Sequence, residues 1–380
     1  MKTLIKNCHL ISPDLEINGA SIEIDGKKIS AVYLDGEKLP AAENIFDASG
    51  KMVMPGFIDI HSHGAMGFDA TDDKPEAIKT IAEAKLKEGV TSYLATTITL
   101  PQETLEKAMH HIAAYQKNPT GSKIPGVHLE GPYINKSCAG AQNPAYARIP
   151  SIDEVLKLNS IAKVLIVSYA VETEGGMEFT RELAKHGIIP SCGHSDATFA
   201  QFKKAKQLGL KHLTHFCNQM TKLHHREIGL VGAGIYDDDI MIETICDKIH
   251  IAPDMLSFIF KFKSIDRIAL ITDTVTAAWL ADGDYELGGL PFYVKGNQAR
   301  LKSNDALAGS VLKYYDGVKN VHELTGMPLS KLVKATSFNQ ARSLGFHDLG
   351  KLEVGYTADI VVLEKDFKPS AVFIDGARQA

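Results

Sequence analysis

Between residues 57 and 272 the chain repeats one pattern: a short, continuous apolar run followed by a longer amphipathic stretch. The runs cover 57–60, 91–97, 124–129, 164–169, 188–192, 212–214, 240–246 and 267–272. Helical spacing is clearest between them at 75–87, 102–116, 176–186 and 198–208. Continuous apolar runs alternating with helical periods predict parallel strands covered by helices. Eight such units predict a (β/α)8 TIM-like barrel with its active site at the C-terminal ends of the strands. Residues 229–236 do not fit the helical pattern and are assigned to a loop. The two ends of the chain read differently. Strands are expected at 3–10, 21–24 and 28–34, with a hairpin at Asp25-Gly26, and again at 358–363 and 370–374. The pattern therefore divides the chain into a small β-sandwich domain, residues 1–52 plus 345–380, and a barrel, residues 53–344.

Composition narrows the function classes. A chain of 380 residues accommodates a barrel and a small appendage. A formal charge of −5 offers no electrostatic footprint for nucleic acid or an anionic membrane. The apolar runs are strand-sized, far short of the roughly 20 residues that span a bilayer. Met1-Lys2-Thr3-Leu4-Ile5-Lys6-Asn7 meets charge too early for a secretory signal. Five scattered cysteines without a Cys-x-x-Cys pair suit a reducing compartment, so the expected location is the cytoplasm.

Candidate chemistry collects where the runs end. The first run ends in His61-Ser62-His63, the third in His128-Leu129-Glu130 and the fifth in Gly193-His194. The sixth ends in His215-Phe216-Cys217-Asn218 and the eighth in Asp273. His-x-His alone is weak, since two such histidines are more often solvated or hydrogen-bonded. On a strand they share a side, and a barrel would bring His61, His63, His194 and His215 to one mouth with Glu130 and Asp273. Neutral imidazole and carboxylate suit a divalent Zn or Fe ion. Such an ion makes hydroxide available near neutral pH, and Asp273 could carry the proton. His110 and His111 read as solvated, and His128 as a structural residue lining the barrel. His250, at the end of the seventh run, reads as a substrate contact. Arg226, in the polar loop around His224-His225-Arg226-Glu227, is suited to gripping an anion.

Taken together, these motifs resemble the amidohydrolase superfamily and, within it, the N-acetylglucosamine-6-phosphate deacetylases. The most specific pieces are His128-Leu129-Glu130-Gly131-Pro132-Tyr133, Gly193-His194-Ser195-Asp196-Ala197-Thr198, and His215 to Met220 followed by His224 to Glu227. The resemblance implies that Glu130, His194 and His215 hold the main metal and that His61 and His63 make a second ion possible. It implies Asp273 as the acid/base. Substrate contacts are implied at Ala141, Asn218, Gln219, His250 and the backbone of Leu307, Ala308 and Gly309. Arg226 would reach the phosphate in a neighbouring subunit, which implies a homodimer. Three positions depart from the family pattern. Gln142 stands where a histidine is usual, Gln219 where a small residue is usual, and Lys248 where glycine is usual.

The implied reaction is hydrolysis of the N-acetyl group of an amino-sugar 6-phosphate. Rival substrates are the galactosamine epimer or another N-acyl amine, and a barrel kept only for binding is a rival of another class. A cyclic-amide hydrolase is disfavoured because the third run offers Glu130 instead of a lysine for modification.

Overall fold

The chain is described by a computed structural model over residues 2–379; Met1 and Ala380, assigned above to the small β domain, lie outside the described residues. Eight parallel strands form the central sheet: Phe57–Ser62, Val90–Thr97, Val127–Glu130, Val164–Tyr169, Ile189–Cys192, His212–Leu213, Met241–Ile245 and Ile268–Ile271. Each is buried along most or all of its length, which is why these segments read as unbroken apolar runs. Helices Pro75–Lys87, Gln102–Gln116, Gly176–Lys185 and Phe199–Gln207 fall on the expected amphipathic stretches. The structure is the expected TIM-like barrel. Among the described residues no helix is long and apolar enough to cross a membrane.

The segment assigned to a loop is instead a helix, Gly229–Tyr236. Its three glycines hid the helical signal. They serve close packing: a Cβ at Gly232 would lie 2.5 Å from the Ile228 side chain, and one at Gly234 would lie 2.3 Å from the Phe216 ring. Also unanticipated is an antiparallel sheet after the eighth strand, Gly283–Leu287, Leu290–Lys295 and Gln298–Leu301. Its turn signals, Gly288-Gly289 and Gly296-Asn297, were present in the sequence.

The terminal strands form one continuous eight-stranded sheet rather than two. Met52–Pro55 joins the first strand, Lys2–Ser12, to Ile360–Leu363. Ile5, Leu10 and Ile22 share a core with Ile360, Val362 and Phe373. A bridge between Lys28 and Thr357 brings distant parts of that sheet together, so it folds over its own interior.

Two features of the barrel position the site. The first is the meeting of its end strands. Asp273 N donates to His61 O at 2.9 Å and His63 N to Thr274 O at 2.9 Å. Beneath these, Asp59 accepts from Thr272 N at 3.2 Å and from Thr272 Oγ1 at 2.6 Å. Lys85 Nζ reaches Asp59 Oδ2 at 3.1 Å, Glu88 Oε2 at 3.4 Å and Thr272 Oγ1 at 2.8 Å, and all three ionic groups are buried. Trp279 Nε1 and Tyr314 N donate to the remaining positions of Glu88.

The second feature is a break in alternation. Ile58 and Ile60 pack inside the barrel and Phe57 outside, so strict alternation would send His61 outward. The register between the first two strands shifts between Asp59 and Ser62. That irregularity re-aims His61 into the barrel, as bulges beside active sites do.

Replacing Lys85 with methionine should leave Asp59 and Glu88 buried without their cation and cost about 3–5 kcal/mol, the usual result of removing one partner of a buried pair. Urea unfolding measures it. Stability equal to wild type would mean that these charges do not secure the seam.

Candidate active site

Four imidazoles and two carboxylates converge at the C-terminal mouth of the barrel, and all six are buried. His194 Nε2 and His215 Nε2 lie 3.0 Å apart, each about as far from Glu130 Oε1, at 3.2 and 3.1 Å. His61 Nε2 and His63 Nε2 lie 3.3 Å apart. His63 Nε2 is 3.3 Å from Glu130 Oε2 and 3.2 Å from Asp273 Oδ1. Glu130 therefore stands among all four imidazoles: Oε1 faces His194, His215 and, at 3.4 Å, His61 Nε2, while Oε2 faces His63.

Local backbone explains how strand ends aim side chains here. His194, His215 and Asp273 have φ of +49°, +30° and +52°. Left-handed backbone costs a residue with a Cβ on the order of 1–2 kcal/mol, and such strain gathers at functional sites. Gly309 makes a complementary adjustment. Its φ is +58°, and a Cβ there would lie 2.9 Å from Asp273 O, to which Ser310 N donates at 2.7 Å.

The far nitrogens decide what the near ones can do. Nδ1 of His63, His194 and His215 meets the carbonyl oxygens of Thr96 at 3.2 Å, Cys138 at 2.8 Å and Asn218 at 3.1 Å. A carbonyl only accepts, so each Nδ1 carries the proton. In the neutral rings the inward Nε2 atoms are then bare lone pairs. Two bare lone pairs 3.0 Å apart repel unless a cation lies between them. The donor set thus fits a divalent ion at Glu130, His194 and His215, and the same reasoning applies at His61, His63 and Asp273. Ligand atoms in each of these triads lie within 4.8 Å of one another.

Charge balance points the same way. Burial disfavours a charged His63, yet hydrogen bonds to Asp273 and Glu130 outweigh it and raise its proton affinity well above the imidazole value. Burial likewise pushes Glu130 up, but His61 and His194 outweigh it and hold its carboxyl well below the usual range. The carboxylates demand positive charge in the space between them.

Above this centre lies a cavity of about 190 Å³, open at the mouth, which is small for a drug-sized ligand. Ala141, Gln142, Asn218, Gln219, His250, Leu307 and Gly309 line it. Ala308 does not; it is buried against Val275 and Phe292. Gln142 is committed on both ends of its amide, accepting from Thr99 N at 2.6 Å and donating to Glu130 Oε2. His250 Nδ1 binds Asp247 Oδ2 at 2.7 Å, which leaves Nε2 for a ligand. Arg226 is not brought to the cavity. It is exposed, bonded through Nη1 to His225 Nε2 at 2.7 Å.

His128 is structural, held by Ile60 O at 2.8 Å and Ser168 Oγ at 2.6 Å. His111 pairs with Asp73 and His110 is exposed. Sequence reasoning overlooked Glu243, which is fully buried between His61 and His212. Its signal was a single carboxylate inside the apolar run 240–246.

A barrel with this cluster at its mouth and this mixed histidine and carboxylate donor set defines a class of hydrolases. The amidohydrolase family pattern matches residues 52–378, and the chain belongs to that family. The family is metal-dependent and acts as hydrolases. Among its relatives is the N-acetylglucosamine-6-phosphate deacetylase of Bacillus subtilis (strain 168), 35% identical over 96% of this chain and 93% of that protein. The N-acetylgalactosamine-6-phosphate deacetylase of Escherichia coli O157:H7 is 35% identical over 89% of this chain and 90% of its own. The crystal structure of the N-acetylglucosamine-6-phosphate deacetylase from Thermotoga maritima superposes with a TM-score of 0.89 at 35% identity, covering 99% of each chain.

Stripping the protein with a chelator should lower its unfolding temperature, and Zn²⁺ should restore it. An ion at 1,000 times its Kd adds about 4 kcal/mol to the folded state. Differential scanning calorimetry alongside metal analysis checks this; no change on complete metal removal would dismiss the cation.

Proposed function

We propose that this chain hydrolyses the N-acetyl group of N-acetylglucosamine 6-phosphate, releasing acetate and glucosamine 6-phosphate. The observation that carries the reading is the convergence of the Glu130, His194 and His215 donor set with Asp273 beneath a cavity of about 190 Å³ lined by polar groups. Glu130, His194 and His215 hold the main divalent ion, zinc or iron, and His61 with His63 hold a second. When bound, such an ion would supply Lewis acidity to an acetyl carbonyl and lower the pKa of water held beside it toward neutrality.

The residues of the chain perform the rest. Asp273 accepts the proton of the attacking water and returns it to the sugar nitrogen as the carbon–nitrogen bond breaks. Burial pushes its carboxyl up, but His61 and His63 outweigh that and keep it below the ordinary carboxylate range, ready to accept. Asn218, Gln219, His250 and the Leu307–Gly309 backbone orient the sugar. The Gln142 amide, a neutral donor, already steadies Glu130.

No lysine or arginine lines the pocket among the described residues. This supports a phosphate cation supplied from outside, by Arg226 of a second copy, and hence a homodimer. Arg226 has no carboxylate partner among the described residues, which leaves its charge for an anion. The split into a terminal β domain, 1–52 plus 345–380, and a barrel, 53–344, rests on the separate core of the terminal sheet. Five free cysteines suit a cytoplasmic setting.

A second reading, the 6-phosphate of N-acetylgalactosamine, is raised by the relative of that name and is the weaker of the two. Acetate release from the two epimers and from unphosphorylated N-acetylglucosamine separates them. Turnover of neither phosphorylated sugar, with metal bound, would overturn both readings.

Asp273→Asn should lower kcat by more than about 100-fold, since a positioned acid/base contributes 10²–10⁴; near-normal kcat removes it from the mechanism. Arg226→Ala should raise KM for the phosphorylated sugar about 10-fold or more, through loss of a charge-assisted contact of about 1.5–3 kcal/mol. Mixing the two variants should restore turnover at the low wild-type KM, because a mixed dimer holds one site with both residues. No recovery after verified subunit exchange would place Arg226 elsewhere.

A further inference from the structure

The four imidazoles at the mouth are anchored in two different ways. His63, His194 and His215 donate from Nδ1 to backbone carbonyls, whereas His61 Nδ1 faces a side-chain carboxylate, Glu243 Oε2, at 3.3 Å. The backbone fixes the first three, but a side chain fixes the fourth.

Packing alone does not call for that carboxylate. Its neighbours along the inner face of the same strand, Met241 and Ile245, are apolar members of the barrel interior. Glu243 is fully buried, where an isolated carboxylate would be costly. Both of its oxygens are engaged: Oε2 with His61, and Oε1 with His212 Nδ1 at 2.9 Å. A carboxylate only accepts, so both imidazoles donate to it. His212 Nε2 is then the acceptor for Ser343 Oγ, 2.5 Å away. Ser343 ends the helix Asn339–Ser343. His212 and Ser343 both line a cavity on the far side of the barrel from the active-site mouth. A directed chain of hydrogen bonds thus runs from that cavity through the core: Ser343 to His212, His212 to Glu243, and His61 to Glu243.

We propose that Glu243, braced by His212, is a positioning residue that orients His61 and governs whether the cation position at His61, His63 and Asp273 fills. A carboxylate behind an imidazole fixes its tautomer and ring angle and makes its other nitrogen a stronger donor, and losing such a partner typically weakens metal binding 10–100-fold. The imidazoles of the Glu130, His194 and His215 position are backed by the carbonyls of Cys138 and Asn218 instead, so that position should respond less to Glu243. The inference rests on the reading that His61 and His63 hold a second ion.

The test strips the full-length protein with a chelator and titrates it with Co²⁺. Equilibrium dialysis gives the number of ions and the Kd of each, and visible absorption reports their geometry. The wild type is expected to bind two ions. Glu243→Gln, which keeps size and shape, should weaken the second ion 10–100-fold and the first by much less. His212→Gln should shift the second site in the same direction by less, and it carries the test if Glu243→Gln does not fold. Two ions with unchanged affinities in both folded variants would overturn the positioning role and leave the second site standing. Equal weakening at both sites would also overturn it, as a general structural effect. A wild type that binds only one ion would remove the second site and this inference with it.

Discussion

The first and eighth barrel strands are joined less by a regular ladder than by a buried carboxylate. Asp59 reaches across to the backbone and hydroxyl of Thr272 and is itself held by Lys85. One residue beyond Thr272 stands Asp273; two beyond Asp59 stands His61. The same few bonds that close the cylinder therefore bring Asp273 to the imidazole pair, at 3.2 Å from His63. A loose seam would separate Asp273 from His61 and His63 before it exposed much apolar surface.

Charge is treated differently in two layers below the mouth. Around Lys85 the ions are paired in place, with Asp59 and Glu88 sharing a single ammonium and hydrogen bonds filling the remaining lone pairs. Around Glu130 the protein leaves its charges unbalanced. Four imidazoles present bare nitrogens and two carboxylates face them, which is stable only when something positive occupies the gap. The first arrangement completes a fold, and the second prepares a binding site.

Much of this could be read from the chain. The eight apolar runs became barrel strands because parallel strands covered by helices are apolar on both faces, so run and strand coincide. The residues of the mouth cluster were legible because each stands at the end of a run. Helix Gly229–Tyr236 was not, since glycines selected for close approach to Ile228 and Phe216 erase the helical period. His61 is instructive in another way. Alternation rightly placed it beside His63, yet the same alternation applied from Phe57 would have faced it away from the site. Only the register shift between Asp59 and Ser62 turns it inward, and a shift in pairing belongs to two strands at once. Glu243 was visible as an acid in an apolar run, but its meaning depends on His212 and His61 from other strands. Arg226 remains a residue whose sequence signal is clearer than its place within one subunit.

The seam also sets when the site can exist during synthesis. Its early half, His61 and His63, leaves the ribosome long before Asp273, and Asp273 is itself held through its carbonyl by Ser310. The strand Lys2–Ser12 must further wait for Ile360–Leu363 to complete its sheet through Met52–Pro55. A nascent chain can stack strands one after another while its metal ligands remain apart. Asp273 joins them only after most of the barrel has been made, so a fragment arrested before it lacks the full cluster of six residues.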